Sequence, residues 1–313
     1  MMKKINICFM GSPEFSLETL DLLNKDEDID IRLVVSAKDK KRNRNKFTPT
    51  VVKKYAIDNN LEYITPDTVN SEEFLDDLEK YDLDYIVVVA FGQLIGSKLL
   101  ERYKDRILNL HPSKLPDYRG PSPIQYTLLN GKKETAATTM LIEKGMDSGD
   151  ILLQKDIQIK QDDDFISLSE KLSYYGARAM LETIKNYDSL YKSRIKQDDS
   201  LATFSKKITK EDGLITFNEK GENIINKWRA FRSYPQVFFK LKDENYKIDC
   251  LEFIKEEVSN IGNLEVCKDH LEIACKNGII KIGKIQKPGK KMMDVNSFLR
   301  GNDFNVNNIN YEK

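Results

Sequence analysis

The segment "RILNLHPSKLP" sets an asparagine and a histidine, Asn109 and His111, two positions apart at the end of an apolar run. Side chains alternate between the faces of a strand, so these two leave on the same side. A carboxamide N–H is suited to hold an oxygen on which negative charge develops. An imidazole gives or takes a proton near neutral pH. Such a histidine needs a carboxylate to orient it and to favour its charged form. Asp147 in "GMDSGD" is the candidate, because Gly145 and Gly149 permit a tight turn around it. From spacing alone, His111 reads equally as a satisfied hydrogen-bonding residue at a strand end, and Asp147 and Asp150 as turn formers. The other histidine, His270 in "CKDHLEIAC", reads as a surface residue.

These side chains need a frame, and the first two-thirds of the chain alternate strand-like and helix-like segments. "INICFMG", "IDIRLVVS", "LEYIT", "DYIVVVAFG" and "RILNL" read as strands, the fourth as a central one covered on both faces. "SPEFSLETLDLLNK", "TPTVVKKYAIDNN" with Pro49 in its first turn, and "NSEEFLDDLEKY" read as helices between them. This order predicts an α/β fold, a doubly wound Rossmann-like sheet with its site at the carboxyl ends of the strands. After Gly131 a hairpin is expected around "EKGMDSGD", then a long amphipathic helix in "SLSEKLSYYGARAMLETIKNY". A polar stretch, 191–206, reads as a linker. One helix and several short strands beyond it predict a small OB-like β-barrel. The expected division is a catalytic domain over 1–190, the linker, and a C-terminal domain over 207–313.

Composition sets outer limits. A chain of 313 residues is long for one core. Its 50 basic and 50 acidic residues cancel, so net charge neither favours nor excludes a nucleic-acid partner. The turn "GSPEF" has one glycine where a dinucleotide fingerprint needs three, which excludes a nicotinamide or flavin enzyme; no P-loop occurs either. The four cysteines, Cys8, Cys250, Cys267 and Cys275, form no C-x-x-C pair and have no histidine spaced beside two of them. No metal is expected, and free thiols in a reducing cytosol are the natural reading. The N-terminal apolar run breaks at Gly11, too short for a signal peptide or a membrane span, so a cytoplasmic protein with no membrane partner is expected.

"NLHPSKLPDYRGPSPIQYTLLNG" resembles the signature of folate-dependent formyltransferases, and "GMDSGDIL" resembles the second signature, which carries their catalytic aspartate. "MGSPEFS" and "VVVAFGQLI" match the first strand and the strand before the signature. "KKITKEDGLITF", "RAFRSYPQVFF" and "IQKPGKKMMDVNSFLRG" are similar to the appended domain of the bacterial methionyl-tRNA formyltransferases. The resemblance spans essentially the whole chain. It implies a catalytic trio at Asn109, His111 and Asp147, and a Rossmann-like formyltransferase domain followed by an OB-like barrel that binds tRNA. It implies 10-formyltetrahydrofolate as co-substrate, with contacts at Phe91, Gly92, Ser113, Lys114, Leu115 and Pro116. The acceptor implied is initiator methionyl-tRNA, and a monomer is expected. Two departures stand out: Lys114 replaces a leucine of the signature, and "KDKKRNRNKFTP" replaces a Gly-Arg-Gly loop. Ser113 reads equally as a folate ligand or as a cap for the following turn.

Two basic clusters are candidates for phosphate contacts. "KDKKRNRNK" contains Lys41, Arg42 and Arg44, and "KNGIIKIGKIQKPGKK" contains Lys287, Lys290 and Lys291. Each reads equally as a solvated face of a lysine-rich chain. The rival readings are another folate-dependent formyltransferase, such as the glycinamide ribonucleotide enzyme, a formyltetrahydrofolate hydrolase, and a non-catalytic RNA-binding factor. Neither of the first two has a "KPGKKMM" domain, and the last has no use for the trio.

Overall fold

The computed structural model describes residues 3–42, 46–241, 244–302 and 309. The chain divides into two compact units, the first comprising 1–123, 134–159 and 169–205, and the second 124–133, 160–168 and 206–313.

The first unit carries strands β1 (Ile5–Gly11), β2 (Ile29–Val35), β3 (Lys40–Arg42), β4 (Lys46–Thr48), β5 (Tyr63–Ile64), β6 (Tyr85–Val89), β7 (Ile107–His111), β8 (Glu134–Leu141) and β9 (Ile151–Gln158). Seven of them form one sheet in the order β5-β2-β1-β6-β7-β8-β9, while β3 and β4 pair as a separate hairpin. The five strands from β5 to β7 run parallel, and β8 and β9 are antiparallel. Ile7, Cys8, Phe9 and Met10 are successive and all fully buried, so both faces of β1 are covered, as a parallel sheet requires.

Between the strands lie the expected helices. Thr50 caps Val51–Asp58 by accepting from the Lys53 N–H at 3.0 Å, which puts Pro49 just outside the helix rather than in its first turn. Ser71 caps Glu72–Glu79 in the same way through Phe74. The long helix Phe165–Lys185 lies against the back of β7 at Gly176, where an added Cβ would come 2.7 Å from Leu110 Cδ2. Leu110 thus takes the packed face of β7, which turns Asn109 and His111 to the opposite face.

The stretch expected as a linker differs most from expectation. Ile195 exchanges backbone hydrogen bonds with Ile151 at 2.8 and 2.9 Å, Thr203 N–H donates to the Pro116 carbonyl, and Phe204 bridges Arg119. Residues 195–205 are therefore a strap paired to the first unit.

The second unit carries the helix Gly221–Ala230 and strands β10 (Phe238–Leu241), β11 (Glu244–Lys255), β12 (Leu264–Val266), β13 (Leu271–Cys275), β14 (Gly278–Gln286) and β15 (Met293–Asp294). They form an open, barrel-like antiparallel sheet in the order β10-β11-β14-β13-β12, with β15 on β14. Phe217, Phe239, Ile248, Ile273, Ile280 and Ile282 fill its core. Among the described residues no helix is long and apolar enough to cross a membrane.

Candidate active site

In this sheet the chain turns in opposite directions from β1 to β2 and from β1 to β6, the arrangement that opens a crevice at the carboxyl ends of the strands. β7, one strand beyond that switch, ends at the same edge of the sheet with His111, which is paired to Thr138 of β8, and Asn109 lies between Val88 of β6 and Met140 of β8. Asp147 arrives from the turn that joins β8 to β9, and its carboxylate stands 3.7 Å from His111 Nδ1. The three residues chosen from sequence therefore lie at one end of the sheet, and two of them face each other directly.

The turn is shaped by the residues that the spacing singled out. Gly145 has φ of +135, and a Cβ on Gly149 would come 2.0 Å from the Leu141 carbonyl oxygen. Asp147 itself sits at φ of 49, a left-handed conformation that aspartate tolerates better than most residues. Its Oδ2 accepts the Gly120 N–H at 2.7 Å, which fixes the carboxylate beside the imidazole.

His111 is 4% exposed. Its Nε2 lies 3.1 Å from the Tyr118 carbonyl oxygen. A carbonyl only accepts, so Nε2 carries the proton and Nδ1 presents its lone pair toward Asp147. Burial lowers the His111 pKa below its ordinary value, opposed by the Asp147 charge and the bond to Tyr118. The expectation that the carboxylate favours the charged form is thus corrected: desolvation outweighs it, and the pKa moves down rather than up, toward a neutral ring that can accept a proton. Asn109 is half-buried, and among the described residues its carboxamide makes no hydrogen bond.

The other expected residues fall into four groups. Phe91 is buried directly after β6, and Gly92 has φ of +86 with no atom within 4 Å of the place a Cβ would take. Ser113 is fully buried, with its hydroxyl donating to the Asp117 carbonyl at 2.5 Å across the following turn. Leu115 packs with Met140 and Ile151. Pro116 holds the strap through its carbonyl. The Lys114 ammonium pairs with Glu134 at 2.9 Å and Asp156 at 3.1 Å, so it is drawn to the outer strands β8 and β9. Lys41 and Arg42 belong to β3, with only their backbone described, and Arg44 lies outside the described residues. Lys290 and Lys291 are exposed beside a tight turn closed by Lys290 N–H on the Lys287 carbonyl, and Lys287 is 3.8 Å from Glu244.

Sequence reasoning missed the strap's part in the site. Gln197, 7% exposed, donates from Nε2 to the carbonyls of Asp147 at 2.9 Å and Gly149 at 2.7 Å. Its Oε1 accepts from Arg119 Nε at 3.0 Å, and Arg119 is itself 3% exposed and paired with Asp199. Arg119 and Gln197 thus join the loop that carries Tyr118 and Gly120 to the turn that carries Asp147. No spacing rule connects positions 119, 147 and 197.

Two family models account for the chain: the formyl transferase model matches residues 3–184 and the formyl transferase C-terminal domain model matches 207–303. The chain belongs to the formyl transferase family. Relatives of this formyltransferase include the methionyl-tRNA formyltransferase of Finegoldia magna, 43% identical over 96% of this chain and 98% of that protein. That of Caldicellulosiruptor saccharolyticus is 37% identical over 95% and 97%. Among solved structures, the sugar 3N-formyl transferase WlaRD, crystallised in the presence of dTDP and 5-N-formyl-THF, shares the fold. It has a TM-score of 0.66 and 24% identity over 92% of this chain and 99% of that one.

Proposed function

We propose that this formyltransferase moves a formyl group from 10-formyltetrahydrofolate to the α-amino group of methionine on initiator tRNA, acting as a cytoplasmic monomer at the start of protein synthesis. The observation that carries the reading is a half-buried Asn109 carboxamide two residues along β7 from a buried His111 that Asp147 faces at 3.7 Å. The length and identity of the match to methionyl-tRNA formyltransferases support the acceptor.

The residues of the site suit a folate donor in their chemistry. Gly92 leaves space at the backbone where a flat ring can approach, and Asn109 offers a donor with no partner of its own among the described residues. When bound, the donor supplies a formyl carbon on N10. Asn109 donates its carboxamide N–H to the oxygen of that carbon as negative charge builds on it. His111 Nδ1 accepts the proton that the attacking amine releases as the new C–N bond forms. The same proton passes to N10 as the old C–N bond breaks, so the imidazole returns to its neutral form. Asp147 stabilises the imidazolium in between, and the Gly120 N–H keeps its carboxylate in place. The side chains of Ser113 and Lys114 are engaged elsewhere, so the 113–116 segment meets the donor through its main chain. For tRNA, we assign phosphate contacts to Lys287, Lys290 and Lys291, beside a groove of about 430 Å³ that Lys210 and Lys247 also line. The segment 38–46, with Lys41, Arg42 and Arg44, is the second assigned contact.

The test is formylation of methionyl-initiator tRNA beside glycinamide ribonucleotide, each with 10-formyltetrahydrofolate. Formyl-methionyl-tRNA as the product supports the reading. Formylation of the nucleotide alone, or release of formate with neither acceptor modified, overturns it.

A further inference from the structure

The turn between β12 and β13 gathers side chains that the formyl transfer does not use. One ligand atom each from Cys267, His270 and Glu272 lies within 4.8 Å of the other two. The backbone puts all three on one face. Cys267 N–H donates to the His270 carbonyl at 3.0 Å, so the two are the first and fourth residues of a tight turn and stand on one side of it. His270 and Glu272 are two apart, hence on one face of the strand, while Leu271 and Ile273 are fully buried on the other. His270 Nδ1 lies 2.7 Å from Asp269 Oδ1, and Nε2 lies 3.0 Å from Glu272 Oε1. Directly across the ladder from Glu272 is Glu265, a like-charged neighbour, with Lys281 opposite Glu272 on its other side.

We propose that Cys267, His270 and Glu272 form a divalent-cation site, with zinc the ion they suit best. A thiolate, an imidazole and a carboxylate are a zinc donor set, with one tetrahedral position left to water. At ordinary zinc bond lengths, neighbouring ligand atoms stand about 3.3–3.6 Å apart, so the spacing seen here needs only side-chain adjustment. Asp269 is the partner that a metal-bound histidine ordinarily has: it accepts a hydrogen bond from Nδ1–H, and the ion would take the place of the proton between Nε2 and Glu272. The two ligand charges of thiolate and carboxylate balance the ion. Lys281, 3.7 Å from Glu272 Oε1, is the only lysine or arginine paired with Glu272 among the described residues. The sequence reading expected no metal because it sought a histidine beside two cysteines, and this set uses one. Bound zinc would staple β12, a three-residue edge strand, to β13.

The full-length protein, stripped with a chelator and titrated with zinc alone against a chromophoric competitor, should bind one equivalent. Cys250→Ser, a change at the exposed cysteine outside the cluster, should leave that affinity unchanged. Cys267→Ser and His270→Gln should each weaken it by on the order of a hundredfold or more, and Asp269→Asn by about tenfold to a hundredfold. Cobalt(II) in place of zinc should give a thiolate-to-metal absorption band that Cys267→Ser removes. Metal-free variants should keep the circular dichroism and formyl transfer of the parent, which separates lost binding from lost folding. Absence of stoichiometric binding in the parent, equal affinity in Cys267→Ser and His270→Gln, or a cobalt complex without the thiolate band would each overturn the site.

Discussion

Replacing Asp147 by asparagine removes one charge and almost nothing else. The variant keeps an oxygen for the Gly120 N–H, and asparagine tolerates the left-handed backbone at 147 as readily as aspartate does. What it loses is the attraction between a carboxylate and the positive charge that His111 acquires as the amine gives up its proton. Across the observed 3.7 Å, at an effective dielectric constant of about 20, that attraction is about 4.5 kcal/mol. The Asp147 side chain is 24% exposed, so water screens part of it and the figure is a ceiling. At about 1.36 kcal/mol per factor of ten, the expected fall in kcat is about a hundredfold to a thousandfold. The assay is rapid-quench single-turnover formylation of methionyl-tRNA with saturating folate, so that product release does not mask the chemical step. KM for both substrates should change by less than about threefold, because the charge acts on the transition state rather than on binding. A variant that keeps more than about a tenth of the parent single-turnover rate would show that Asp147 does not stabilise a charged His111.

Further expectations follow from the same geometry. Since burial lowers the His111 pKa, the acid limb of kcat/KM should have its midpoint below about 6.5, and Asp147→Asn, which removes an opposing influence, should move it lower still. A midpoint above 6.5 would contradict the neutral resting ring. The same shift has a stability consequence of definite sign. The unfolded chain binds the His111 proton more readily, so stability is full above about pH 6.5 and declines as pH falls toward the folded pKa. Replacing His111 by glutamine should flatten that part of a denaturation series, and an unchanged slope would refute it. Gln197→Ala leaves two turn carbonyls and the Arg119 guanidinium short of a buried partner, which costs about 1–3 kcal/mol each where no water enters. It should lower Tm and also lower kcat about tenfold or more at unchanged KM; full kcat at reduced Tm would make the strap structural only. Changing Lys287, Lys290 and Lys291 together to glutamine should reduce the slope of log affinity for tRNA against log salt by roughly one for each lost phosphate contact. Unchanged salt dependence would remove these lysines from the interface.

The local rules of the chain suffice for much of this. Apolar runs of strand length read as strands covered on two faces, and β1 and β6 are such strands. Alternation puts Asn109 and His111 on one side, and glycines at 145 and 149 allow a turn that no side chain fits. Residues 191–206 were misread for a definite reason: the strap is held by backbone pairing and a few buried polar side chains, while its other side chains face water, so its composition is that of a linker. The protonation state of His111 was likewise out of reach, because the sequence names the carboxylate but not the depth of burial that outweighs it. Which residues hold Asp147 in place depends on chain segments up to 78 positions apart, as Arg119 and Gln197 are. Periodicity and spacing encode only what neighbours along the chain dictate; burial and long-range hydrogen bonding arise when distant segments exclude water together, and that is settled only in the folded structure.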